Sequence, residues 1–157
     1  VDFEANYNVD IGPGNLTLRG LVSWQPDLAT VAYQGAPRLA SADTPAQPNW
    51  RATAFINYRM GSFSLDTQVK WHNSMGWNAD RTRVVEIPRI PAAAFINSTL
   101  TYRRGANQYF LAVRNVLNKQ PARNYGGGGS VPGLFGGFIA GDDNLGRYFN
   151  IGVRMRH

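Results

Sequence analysis

The 157-residue chain has no cysteine. That excludes a disulfide framework, a thiolate metal site and a cysteine nucleophile. Histidine is almost as scarce: His72 and His157 are the only two, and two such separated imidazoles do not make a metal site. Lysine is nearly missing too. Of 16 basic residues only Lys70 and Lys119 are lysine, so 16 − 2 = 14 are arginine. The formal charge of +6 could suit nucleic acid. The arginines are scattered singly over nearly every segment, however, which weakens the nucleic-acid reading. No apolar run approaches ~20 residues, so no transmembrane helix is encoded. No stretch within 1–157 reads as a signal peptide. Val1 opens directly in an alternating pattern without a methionine, so the expectation is a processed chain or a fragment.

What the chain does have is period-2 alternation, repeated seven times. Such alternation puts one set of side chains on each face of a strand. In the segment 2–11, Phe3, Ala5, Tyr7, Val9 and Ile11 oppose Asp2, Glu4, Asn6, Asn8 and Asp10. Segments 15–24, 50–60, 62–72, 93–103 and 108–114 follow the same rule. The last segment, 146–157, sets Phe149, Ile151, Val153, Met155 and His157 against Tyr148, Asn150, Gly152, Arg154 and Arg156. Ten residues at roughly 3.3 Å rise, tilted by about 40–45°, span ~24 Å, the height of an outer-membrane apolar belt. Aromatics of the apolar phase sit near strand ends (Trp24, Trp50, Tyr58, Trp71, Tyr102, Tyr109 and Phe149), where rings favour the headgroup level.

The connections alternate as strictly as the faces. Pro13-Gly14, Gly61-Ser62 and Gly105-Ala106 read as tight hairpin turns. The other connections are long, about 25–49, 73–92 and 115–145. Long loops at one rim and tight turns at the other predict an all-β, transmembrane, antiparallel up-and-down barrel segment of about seven strands. The final strand then ends at the short-turn rim. A soluble β-sandwich or lipocalin-like barrel also alternates. It does not explain long loops confined to one rim, or an apolar face that mixes Thr67 and Ser98 with aromatics at the rims.

Three stretches carry a family resemblance. YFLAVRNVLNKQPARNYG resembles the "N-L-F-[DN]-K-x-P" signature of TonB-dependent outer-membrane receptors, with Asn115, Leu117, Asn118, Lys119 and Pro121 in the matching positions. GRYFNIGVRMRH is similar to that family's closing strand, and IPRIPAAAFINSTLTYRRG to the strand before the signature. Together they cover 87–157; residues 1–86 fit by pattern alone. The resemblance implies that 1–157 is the C-terminal part, the last third, of a 22-strand barrel whose plug and first strands are absent. It implies no enzyme and no cofactor. It implies a Gram-negative outer-membrane location and TonB-driven import of a scarce solute: a ferric siderophore, cobalamin or an oligosaccharide. The implied partners are the rest of the barrel and plug, the TonB complex through the plug, membrane lipid and lipopolysaccharide, the barrel-assembly machinery and a small-molecule ligand. Asn150, Gly152, Met155 and His157 occupy the places of the assembly signal, although the family usually ends in Phe or Tyr. A passive porin-like barrel and a soluble ligand-binding module are the competing functions.

No catalytic constellation is present. Asp2, Glu4 and Asp10 share a face that a wet lumen explains, and His72 reads as lumen lining near the outer rim. GGGGS at 126–130 lacks the Lys-Ser/Thr of a phosphate loop and reads as an outer loop. Ligand contacts are expected from the long loops, at Tyr33, Trp77, Arg81, Arg83 and Tyr125, with Phe135 and Phe138 also available, and from the upper lumen wall. Aromatics there would stack on rings and arginines would hold carboxylates bidentately.

Overall fold

Seven antiparallel strands hydrogen-bond in strict chain order into one open sheet. The computed structural model describes residues 1–44, 47–76, 89–120 and 145–155, with backbone alone at 39 and 40. The long strands are β1 (Asp2–Ile11), β2 (Gly14–Trp24), β5 (Trp50–Met60), β6 (Phe63–His72), β9 (Ala93–Arg104), β10 (Asn107–Arg114) and β11 (Tyr148–Met155). The expected segments match these within one or two residues at the described ends. Two small hairpins, unforeseen in the sequence, sit in the long connections: β3 (Ala29–Thr30) with β4 (Leu39–Ala40), and β7 (Met75–Gly76) with β8 (Arg89–Ile90). No helix is present among the described residues.

The register keeps each face chemically continuous. One row of paired residues runs Tyr7, Leu18, Ile56, Thr67, Ser98, Val113, Phe149 through all seven strands. The next row runs Asn8, Thr17, Asn57, Asp66, Thr99, Ala112, Asn150. A slip of one residue in any pair would exchange the two faces, so the hydrophobic pattern itself specifies the pairing.

The tight turns use glycine for its backbone. Gly12, Gly61 and Gly105 have φ of 57°, 54° and 57°, and the residues after them are not in the positive-φ region. Positive φ at the first central position alone is the type II′ hairpin, whose twist matches that of the strands it joins. The first turn is therefore Gly12-Pro13, one residue earlier than the expected Pro13-Gly14. Proline's ring holds φ near −65°, which suits only the second position. Gly14 is instead the first residue of β2, paired with Ile11. A Cβ there would lie 2.5 Å from the Arg59 carbonyl oxygen and 2.6 Å from the Tyr58 ring, so no larger residue fits. Tyr58 lies across this glycine and its hydroxyl donates to the Ile11 carbonyl at 3.2 Å.

Nothing among the described residues covers the apolar-phase face. Phe3, Tyr7, Phe63, Phe149, Ile151 and Met155 are all exposed, Ile151 to 78%. Aromatics line both of its rims. At the turn rim Phe63 stacks on Tyr102 at 4.7 Å, and Tyr102 on Tyr109 at 6.3 Å. At the long-loop rim Trp24 stacks on Trp50 at 5.6 Å. Trp50 and Tyr58 are eight residues apart on β5, about 26 Å along the strand and about 20 Å along a barrel axis at a 40° tilt. Between the rims, Thr67 and Ser98 are polar positions in this apolar phase, and their hydroxyls bond to each other at 2.9 Å. Each satisfies the other where hydrocarbon would offer no partner.

The buried apolar residues are few and gather at the long-loop rim: Met75, Ile90, Ala93 and Phe95. Ala93, Phe95 and His72 belong to the polar phase, whereas the apolar-phase Trp71 beside them is exposed. The cover therefore lies on the polar side, where the β7–β8 hairpin continues from β6 and leads into β9. His72 is buried rather than solvated lumen lining, and its Nδ1 lies 2.9 Å from the Asn73 carbonyl oxygen.

Candidate functional site

The candidate site is the polar-phase face and the loops at its mouth. A hollow of about 530 Å³ lies on this face of β5, β6, β9 and β10. Its polar-phase lining is Phe55, Asn57, Asp66, Gln68, Lys70, Asn97, Thr99, Ala112 and Arg114. The polar-phase face that carries this hollow is termed the inner face, and the apolar-phase face the outer one.

Charge on the inner face is segregated. β1 contributes Asp2, Glu4 and Asp10 and no base. From β2 to β11 the inner face carries Arg19, Arg51, Arg59, Lys70, Arg103, Arg114 and Arg154 against one carboxylate, Asp66. The acids have local partners. Ser23 donates to Asp2 at 2.5 Å and Asn15 to Asp10 at 2.8 Å. Glu4 accepts from Arg19 at 2.8 Å and from Asn6 at 3.2 Å. Asp66 accepts from the Asn57 amide across the β5–β6 pair. These carboxylates are held by hydrogen bonds on an exposed face. Among the described residues no cluster of His, Asp and Glu could hold a metal ion.

At the mouth, two long connections are tied together. Asp43, buried and with φ of 59°, accepts from Arg89 at 3.1 and 3.3 Å. Arg89 also donates to the Ser74 carbonyl at 3.0 Å, and the Gly76 amide donates to the Asp43 carbonyl at 2.9 Å. This joins the loop after β2 to the β7–β8 hairpin. A two-oxygen grip by a planar guanidinium fixes orientation as well as distance. Sequence reading missed this pair because 46 residues separate its members.

The signature turn after β10 has a physical role of its own. Asn115 is fully buried with φ of 49°. Its Nδ2 donates to the Lys119 carbonyl at 2.9 Å, and its Oδ1 accepts the Lys119 amide at 2.8 Å. Its own amide donates to Asn97 Oδ1 at 3.0 Å. Asn118, also left-handed with φ of 51°, accepts the Arg147 amide at 3.0 Å. Two asparagines therefore close the turn, anchor it to β9 and receive the chain entering β11. Asparagine tolerates the left-handed region and brings both a donor and an acceptor.

Of the expected ligand contacts, only Tyr33 is described. It stands in the first long connection, 72% exposed, with its carbonyl accepting from Ala36 at 3.0 Å. Trp77, Arg81, Arg83, Tyr125, Phe135 and Phe138 lie outside the described residues, as do Pro121 and His157. Asn150, Gly152 and Met155 fall in β11 opposite Ala112, Phe110 and Asn107. The Phe110 ring lies over Gly152 so closely that a Cβ there would sit 2.4 Å from its Cζ. The hollow brings together residues that were named only as phases of separate strands. Lys70 and Arg114 are 44 positions apart in the chain, and only the register places them on one wall.

A comparison with solved structures matches the chain to the ferric enterobactin receptor in its complex with BCV-L6. The TM-score is 0.62 at 18% identity, over 96% of this chain and 21% of the receptor chain. The fold is that of a segment of a TonB-dependent receptor barrel. The chain spans about a fifth of the length of that receptor. No family model matches the sequence, and neither does any curated protein.

Proposed function

We propose that residues 1–157 form the C-terminal wall segment of a receptor that imports a scarce solute across the outer membrane of a Gram-negative bacterium. The observation that carries this reading is the uncovered apolar face, continuous over seven strands and bounded at both rims by stacked aromatics. A soluble module must bury such a face against a second layer, whereas hydrocarbon covers it without one. The rest of the barrel and the plug belong to the remainder of the protein. The TonB complex acts on the plug, and the wall described here supplies a polar conduit and part of a selective mouth. The solute is a ferric siderophore, cobalamin or an oligosaccharide, met at the mouth by Tyr33, Trp77, Arg81, Arg83 and Tyr125. The barrel-assembly machinery reads Asn150, Gly152, Met155 and His157, and lipid with lipopolysaccharide surrounds the outer face. The protein is a transporter and not an enzyme.

The test uses cells that make the full-length protein. Membranes washed in salt and in alkaline carbonate are expected to retain it, and detergent to release it. Uptake of labelled ferric siderophores, cobalamin and oligosaccharides is then compared in three strains: parent, gene-deleted and TonB-deleted. Loss of the same solute in both deletion strains is the expected result. Release by salt alone would sink the membrane reading, and uptake that persists without TonB would make the barrel a passive pore.

A further inference from the structure

We infer that the wall is built for anionic solutes, and that Lys70 and Arg114 are the groups that engage an anionic oxygen group (carboxylate, catecholate or phosphate) in the mouth half of the lumen. The inference rests on the transport reading and narrows its solute class: neutral sugars and neutral corrinoids are excluded.

Lys70 is two residues from the long-loop end of β6, and Arg114 is the last residue of β10. Both line the same hollow, and β9, which lies between their strands, contributes Asn97 to it. Arg114 sits over the Tyr148 ring, 5.7 Å from its centroid, a contact that orients a guanidinium without neutralising it. Among the described residues no carboxylate forms an ion pair with either cation. Asp66, the one acid in the hollow, is engaged by the Asn57 amide. The described loop acids at the mouth are engaged as well: Asp27 pairs with Arg38, and Asp43 with Arg89. The loops thus pair their charges, while the inner face from β2 to β11 carries seven bases against one carboxylate, and the acids of β1 stand at the far edge of the sheet. A wall with so large an excess of one sign of charge, backed by low-dielectric surroundings, focuses its field into the lumen and concentrates the opposite sign. Rings of Arg and Lys select anions in pores by the same physics.

The experiment is uptake by cells carrying the full-length protein. The probes are a triply anionic ferric tris-catecholate, ferric citrate, a neutral ferric trihydroxamate and cobalamin, with TonB present or deleted. The wild type is expected to take up an anionic probe in a TonB-dependent way. The double variant Lys70→Gln with Arg114→Gln is expected to raise KM for that probe at least tenfold, with Arg114→Lys recovering part of the loss. Raising salt should weaken wild-type binding more than that of the double variant. Heat-dependent gel mobility checks that the barrel folds, and the two single variants stand in if the double variant does not. TonB-dependent uptake of the neutral probes alone, or an unchanged KM in the variants, overturns the anion assignment and leaves the transport reading intact. An equal loss of every probe with a newly protease-sensitive plug also overturns it, because the cations then hold the plug. Uptake of no probe, or uptake without TonB, overturns the transport reading and the inference with it.

Discussion

Thr67 and Ser98 meet each other on the outer face at 2.9 Å, one row from Asp66, which accepts from Asn57 on the inner face. The two pairs share strands and differ in surroundings. The hydroxyl pair sits between apolar neighbours, so each member depends on the other. The amide–carboxylate pair faces an open polar hollow, where water can replace either partner. Charge follows the same division. The inner face of β2 to β11 carries seven bases, whereas the outer face between its aromatic rims carries none. Two faces of one backbone thus tolerate very different substitutions, and the tolerance reports which solvent each face meets.

The comparison breaks most sharply with arginine placed in turn on the two faces of β6. Val69→Arg lies beside Ala54, which is midway between Trp50 and Tyr58 on β5, and in a lipid-facing wall it costs ~2–4 kcal/mol. Gln68→Arg, its neighbour on the inner face, is expected to stay within about 0.5 kcal/mol. Urea unfolding of the full-length protein from phospholipid vesicles measures both. Equal costs would mean that the outer face is not in lipid.

Glycines sharpen it next. Gly152 on the inner face lies under Phe110, and Gly152→Ala forces that ring aside at a cost of about 1–3 kcal/mol. Gly20 on the outer face has nothing within 4 Å of its missing Cβ, so Gly20→Ala is expected to be close to neutral. Combining Gly152→Ala with Phe110→Ala should recover most of the loss, read as a coupling energy in the same unfolding assay.

A smaller effect is expected from the hydroxyl pair. Thr67→Val leaves the Ser98 hydroxyl without its partner and costs about 1 kcal/mol, while Thr67→Val with Ser98→Ala returns toward wild type. A double variant worse than the single would show that the pair is not isolated from water. The smallest effect belongs to Asn57→Ala, at about 0.5 kcal/mol or less, because Asp66 then turns to water. A loss near that of Thr67→Val would show instead that the hollow is dry.

Face assignment was legible along the whole chain, because a strand's period of two writes the two solvents directly into the residue order. The seven strands, the parity of long and short connections and the glycine turns all followed from that. The first turn was misplaced by one residue because Pro13-Gly14 is itself a common turn dipeptide, and only the left-handed φ of Gly12 shows which pair bends. The signature asparagines were visible as a pattern, but not as the clamp that Asn115 makes between β9, Lys119 and its own turn.

The sequence by itself determined which residues share a face, because that depends on neighbours two positions apart. The tertiary structure alone decided which residues of different strands stand together: the Asp43–Arg89 tie, the Phe110 ring over Gly152, and the hollow that joins Lys70 to Arg114. These depend on register, a collective property of all seven strands that no local run of residues encodes.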